Sequence, residues 1–228
     1  MYFTSGIGAD YRLFTHLRLP KGFETAYIHW IPPAPGEKLA DYAIRLTEQI
    51  DTTEPVVLVG LSLGGIMSVE MAKHVKPVCT IIISSVPVSA HLPRYYRMAG
   101  QLGLGKLVPA SLLKAATSIK HSLMLRPASN RQLMMDVIRS GDDNFIRWAL
   151  TAVLEWENAA VPQPLYHLHG TRDEVFPIKL TKPTHIIKKA GHMFLLYRAD
   201  IVNRILSEIL LPFAMPSLPP AIQNSTPT

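Results

Sequence analysis

Val56-Val57-Leu58-Val59 runs directly into Gly60-Leu61-Ser62-Leu63-Gly64-Gly65, which leads into an amphipathic stretch from Ile66 to Val75. Four consecutive apolar residues of β-branched character read as a strand buried on both faces, and the following periodicity reads as a helix. Between the two, G-x-S-x-G at this spacing describes a sharp turn that holds the serine in a strained backbone conformation with its hydroxyl projecting above a sheet edge. Bulky side chains two residues either side of Ser62 would collide, and Gly60 and Gly64 remove them. A helix starting after Ser62 offers unpaired N–H groups and a partial positive charge to a developing anion. The bland alternative is a glycine-rich strand-to-helix turn with an ordinary serine.

A strand feeding a helix in this way belongs to a parallel sheet, and the rest of the chain agrees. Thr80 to Ile83 is a second near-continuous apolar run, and weaker strand candidates are Met1 to Thr4, Thr25 to Ile31, Leu165 to Leu168 and His185 to Ile187. Helical stretches fall at roughly 37–50, 63–75 and 199–211, the last with Ile201, Ile205, Leu206 and Ile209 at helix-face spacing. Alternating strands and helices predict an α/β fold with a mostly parallel six-stranded sheet flanked by helices. The stretch 88–161 breaks the alternation, because it reads as several helices rich in Leu, Met and Ala with breakers near Gly100–Gly105, Pro109, Pro127 and Gly141. The expected organisation is a core of 1–87 and 162–211, an inserted helical segment at 88–161, and a proline-rich tail at 212–228.

Composition narrows the class of function. In 228 residues, 48% hydrophobic content supplies a core, and the single Cys79 excludes an internal disulfide or a cysteine-rich zinc site. Cys79 lies just before an apolar strand and is expected to be buried and inert. No apolar run is long enough to span a membrane, and the N-terminus lacks the basic start and apolar run of a signal peptide, so a cytoplasmic protein is expected. The balance of 23 Lys and Arg against 17 Asp and Glu gives +6, but without the dense basic runs or aromatic strand signatures of nucleic-acid binding. No metal or cofactor is implied, since the histidines and acids form no ligand cluster and Gly60–Gly65 is neither a phosphate loop nor a dinucleotide fingerprint.

A serine hydroxyl is a weak nucleophile unless a histidine, itself oriented by a carboxylate, takes its proton. His169-Gly170-Thr171-Arg172-Asp173-Glu174 follows the Leu165 strand and Ala190-Gly191-His192-Met193 follows the next, which puts an acid and a histidine on the ligand-binding edge of a parallel sheet. Glu174 competes with Asp173 for the acid's part, and eight further histidines, including His169, have no such context.

The order Ser62, Asp173, His192, each at the end of a strand, resembles the α/β-hydrolase superfamily over nearly the whole chain up to the tail. That resemblance implies an α/β-hydrolase fold in which Ser62 is nucleophile, His192 general base and then acid, and Asp173 the residue that orients His192. The family spacing from Gly170 favours Asp173 over Glu174. Ser5-Gly6-Ile7-Gly8 resembles the family's His-Gly-x loop with Ser5 in place of the histidine, implying backbone N–H donors to an oxyanion at Ile7 and Leu63. The bracing done by that histidine must then be done otherwise. The two strands that precede this loop in the family are absent, so a core of six strands in place of eight is expected.

The segment 88–161 sits where the superfamily carries a cap over the active site. From it Leu123, Met124, Met135 and Trp148 are candidates to line an acyl pocket, the alternative being that they pack the cap's own helices. From Met71 to Met135 there are nine Lys or Arg and no acid, and the segment 88–161 carries 9 − 5 = +4. Such a face can steer an anionic acyl substrate or can be a solvated basic surface with no partner. The expected activity is hydrolysis of an ester or thioester of a small acyl compound. Acyltransferase or carbon–carbon hydrolase chemistry with the same residues, and a silent ligand-binding protein, stand as alternatives.

Overall fold

The computed structural model of the protein describes residues 1–102 and 128–214. Six strands form one sheet: β1 (Tyr2–Thr4), β2 (Ala26–Ile28), β3 (Val57–Leu61), β4 (Cys79–Ile83), β5 (Leu165–Gly170) and β6 (His185–Ile187). Their order across the sheet is β2-β1-β3-β4-β5-β6, and every neighbouring pair is parallel. All six candidate strands are therefore present. β2 is shorter than its apolar stretch, in keeping with a partner, β1, that offers three residues and with Pro32-Pro33 just beyond. β3 is longer: it takes in Gly60 and Leu61, so strand passes to helix at Ser62 with no intervening loop.

Alternate residues of β3 serve opposite faces, as strand geometry requires. Val57, Val59 and Leu61 join Cys79, Ile81 and Ile83 of β4 in one core cluster, while Val56 and Leu58 join the other. The second face is covered by α1 (Leu39–Leu46) and α2 (Leu63–Val75). Helix α1 is amphipathic, burying Leu39, Tyr42, Ala43 and Leu46 at the i, i+3, i+4, i+7 positions. In α2 every residue from Leu63 to Ala72 is buried, the mark of a helix wedged between a sheet and other helices. It stops where Lys76 turns left-handed at φ 47° ahead of Pro77.

Between β4 and β5 come α3 (Arg94–Gln101), α4 (Ala128–Ser140) and α5 (Asp143–Leu154). Met134, Val137 and Ile138 of α4 pack into the first cluster, and Phe145, Ile146, Ala149 and Ala152 of α5 into the second. Asp142 caps α5 by accepting from the Phe145 N–H at 2.7 Å. A short helix α6 (Phe194–Tyr197) follows β6, and α7 (Ala199–Leu210) closes the first face with Val202, Leu206, Ile209 and Leu210. Among the described residues no helix is long and apolar enough to cross a membrane. Because all strands run the same way, the turns after β1, β3, β4, β5 and β6 meet at one edge of the sheet.

Candidate active site

At that edge the β3–α2 turn holds Ser62 at φ 54°, ψ −118°. Such a conformation costs a non-glycine residue on the order of 1–3 kcal/mol and persists only where neighbours over-determine it. Here the Ser62 N–H donates to Ile83 O at 2.9 Å, and its carbonyl accepts from Gly65 N at 2.9 Å, Ile66 N at 3.4 Å and Ser85 Oγ at 2.7 Å. A Cβ at Gly60 would run into the Gly64 carbonyl, and one at Gly64 into the carbonyls of Thr4 and Ser5. Both glycines are thus required by close approach of backbone to backbone.

Ser62 Oγ lies 2.9 Å from His192 Nε2, and His192 Nδ1 lies 3.0 and 2.9 Å from the two oxygens of Asp173. An ionised carboxylate only accepts, so Nδ1 carries the proton and Nε2 is left to accept from the Ser62 hydroxyl. Burial alone would raise the Asp173 carboxyl. The His192 hydrogen bond and charge, the Phe176 N–H and His169 outweigh it and hold the group below its usual value. Val175 and Phe176 N–H both donate to Asp173 Oδ1 at 2.9 Å, and the Phe176 ring stands edge-on to His192 at 5.7 Å. Glu174, the competing acid, reaches the His192 main chain and not its ring: its Oε2 accepts from the backbone N–H at 3.2 Å.

Two further histidines lie behind the acid. His169 is fully buried, with Nε2 2.7 Å from Phe176 O and 3.5 Å from Asp173 Oδ2, and Nδ1 2.9 Å from His167 Nε2. The Phe176 carbonyl accepts from His169 Nε2–H, so His169 Nδ1 accepts from His167. Burial, reinforced by the proximity of His169, pushes His167 down to about 3, and burial lowers His169 as well.

The turn after β1 lies over the serine, since a Cβ placed on Gly6 would sit 3.6 Å from Ser62 Cβ. Ser5, buried, donates its hydroxyl to Ala9 O at 2.6 Å, and Trp30 Nε1 donates to the same carbonyl at 2.9 Å. Those two bonds close the Ser5–Asp10 turn. Ile7 lines a cavity beside Ser62, and the Leu63 N–H, first in α2, has by position no acceptor within its helix.

A cavity of about 210 Å³ opens onto Ser62 and His192. Its walls are the Gly6–Ala9 turn, Leu13, Met134 and Ile138 of α4, Ile146 and Leu150 of α5, Val175 and Met193. No Asp, Glu, Lys or Arg side chain lines it among the described residues. Of the four pocket candidates, Leu123 and Met124 lie outside the described residues. Met135 does not line the cavity, because Met134 and Ile138, four apart, present the inward face of α4 and Met135 lies about a quarter of a turn round. Trp148 sits in the seam between α5 and α1, its ring 4.3 Å from Tyr42 and its Nε1 donating to Glu37 O at 2.8 Å. Trp156 likewise donates to buried Glu70 at 2.8 Å.

Sequence reasoning missed Trp30, His167, Ser84 and Ser85. Ser84 donates its hydroxyl to His192 O at 2.6 Å, and Ser85 to Ser62 O. Their position just past the end of an apolar strand, on the edge that binds ligands, was the available signal. Cys79 is buried, which pushes its thiol up to about 12. Among the described residues no three His, Cys, Asp or Glu side chains converge as a metal site would require.

A family model described as "Alpha/beta hydrolase family" matches residues 7–205. Among solved structures, the chain is similar to MenH from S. aureus at 16% identity and TM-score 0.71, covering 92% of each chain. A structure from work on carboxylesterases of Nitrososphaera gargenis aligns at 15% identity and TM-score 0.70, covering 92% of this chain and 89% of that one. A thermophilic esterase from Thermogutta terrifontis aligns at 16% identity and TM-score 0.67, with 94% and 90% covered. At such identities the likeness is one of fold. No curated protein matches the sequence.

Proposed function

The chain belongs to the alpha/beta hydrolase family, and on that premise we propose that it is a serine hydrolase cleaving an ester or thioester of a small acyl compound. The observation that carries this reading is the unbroken hydrogen-bonded series from Ser62 through His192 to Asp173 at the mouth of an apolar cavity. Ser62 Oγ attacks the acyl carbonyl while His192 Nε2 takes its proton, and the new C–O bond forms as the carbonyl electrons move onto oxygen. The N–H groups of Ile7 and Leu63 stabilise that oxyanion. On collapse the C–O or C–S bond breaks, and the leaving alcohol or thiol takes the proton from His192. Water, deprotonated by His192, then attacks the acyl-enzyme and releases the carboxylic acid with Ser62 restored. Asp173 holds His192 in the required tautomer and stabilises the imidazolium formed in each half.

The ester class is supported by the esterases among the structural neighbours, and the size of the acyl group by the cavity. At about 210 Å³ it falls below the ~300–1,000 Å³ of sites for drug-sized ligands. Segment 88–161 serves as the cap in this reading, with α4 and α5 forming the wall opposite Ser62. In the described part of that segment five Lys or Arg stand against five Asp or Glu, and its excess of +4 falls on Lys106, Lys114, Lys120 and Arg126, outside the described residues. Ser62→Ala should abolish turnover of p-nitrophenyl acetate and butyrate with the fold intact by circular dichroism. Equal, background-level hydrolysis of short esters and thioesters by wild type and variant would overturn the proposal.

A further inference from the structure

Strand β4 ends at Ile83, and the next two residues are serines with fully buried side chains. The hydroxyl of Ser85 donates to Ser62 O at 2.7 Å. Of the three donors to that carbonyl it is the nearest, the helical ones being Gly65 N at 2.9 Å and Ile66 N at 3.4 Å. The Ser62 carbonyl and the Leu63 N–H belong to one planar trans peptide, so whatever fixes the first fixes the direction of the second. Room for the bond comes from Gly65, where a Cβ would meet Ser85 Cβ and Oγ at 2.5 Å. The paired glycines therefore divide their tasks: Gly64 admits the backbone of Thr4 and Ser5, and Gly65 admits the Ser85 hydroxyl.

We propose that Ser85 is a positioning residue of the reaction, holding the Ser62–Leu63 peptide so that the Leu63 N–H meets the oxyanion. The proposal rests on the serine-hydrolase reading above. Ser85 touches neither the acyl group nor the reacting oxygen. Its contribution appears when negative charge develops on the carbonyl oxygen and not when the neutral substrate binds. The Ser62 carbonyl keeps two other donors when the hydroxyl is removed, so Ser85→Ala leaves no buried acceptor unpaired.

The experiment begins with wild type, whose Ser62 must label with a fluorophosphonate; failure there overturns the underlying reading and not this inference alone. Ser85→Ala and Ser85→Cys are then assayed on p-nitrophenyl butyrate, with butylboronic acid as an inhibitor that forms a tetrahedral adduct on Ser62 Oγ. Loss of a whole oxyanion donor costs ~10²–10³ in kcat. Loosening one should lower kcat about ten- to a hundred-fold in Ser85→Ala, and less in Ser85→Cys, whose thiol is a weaker donor. KM should stay within about two-fold while the boronate Ki rises in step with the fall in kcat. Should Ser85→Ala fail to fold, the same comparison is made on Ser85→Cys. In wild type that labels, the inference is overturned by kcat within two-fold of wild type in the folded variants, or by a fall in kcat with the boronate Ki unchanged.

Discussion

Two adjacent carboxylates, Asp173 and Glu174, occupy the same turn and do different things. Asp173 takes the His192 ring and two backbone N–H groups, whereas Glu174 takes the His192 main chain. Asp173→Asn keeps the shape but removes the acceptor that fixes the tautomer of His192, so kcat should fall by ~10³–10⁴ with little change in KM. Glu174→Gln keeps an acceptor for the backbone N–H and should cost less than about ten-fold. Steady-state kinetics on one ester decide it, and similar losses in both variants would show that the two carboxylates share the task. Family spacing from Gly170 singles out Asp173 in the sequence alone. Ser5 shows where that reasoning ended: a missing histidine could be noticed, but its replacement by a short hydroxyl contact and by Trp30, 25 residues downstream, depends on tertiary contact.

At the scale of elements, all six strands and the helices α1, α2 and α7 were legible because each carries its own periodicity, whereas the four residues of α6 are too few to show one. Boundaries moved where a neighbour decided them, as with β2, limited by the three residues of β1, and β3, which extends through Gly60 because β4 continues beside it. Faces of the inserted helices were not legible. Trp148 and Met135 have the composition of a pocket lining, but rotation about the helix axis is set by packing on α1 and on the 3-10 turn at Tyr11–Phe14. The residues that do face the cavity make a prediction. Met134→Ala and Leu150→Ala enlarge it and should move the optimum p-nitrophenyl ester toward longer acyl chains by about two carbons, while Met135→Ala leaves it in place. Comparison of kcat/KM across acetate to octanoate tests this, and an optimum unmoved by Met134→Ala and Leu150→Ala would contradict it.

For the whole molecule, the paired buried histidines make stability fall as pH drops. In the unfolded chain His167 takes up a proton below its ordinary value near 6.5, whereas in the folded protein burial delays that to about 3. Unfolded chains therefore bind more protons across that interval, and stability falls as pH drops from about 6.5 toward 3. The slope for one such group approaches ~1.4 kcal/mol per pH unit, with His169, also lowered, adding in the same direction. Asp173, held below its usual value, adds a further loss as pH falls through the carboxylate range. Urea melts between about pH 7 and 4.5 should show a shallower decline for His167→Gln than for wild type; equal slopes would mean that His167 is protonated alike in both states.

Catalysis by this route requires that His192 activate the Ser62 hydroxyl. Incubation with a fluorophosphonate probe followed by peptide mass spectrometry measures this directly. One adduct on Ser62 is predicted in wild type, with none in Ser62→Ala and labelling slowed at least about a hundred-fold in His192→Ala. An unlabelled wild-type protein, or an adduct on another serine, would contradict it.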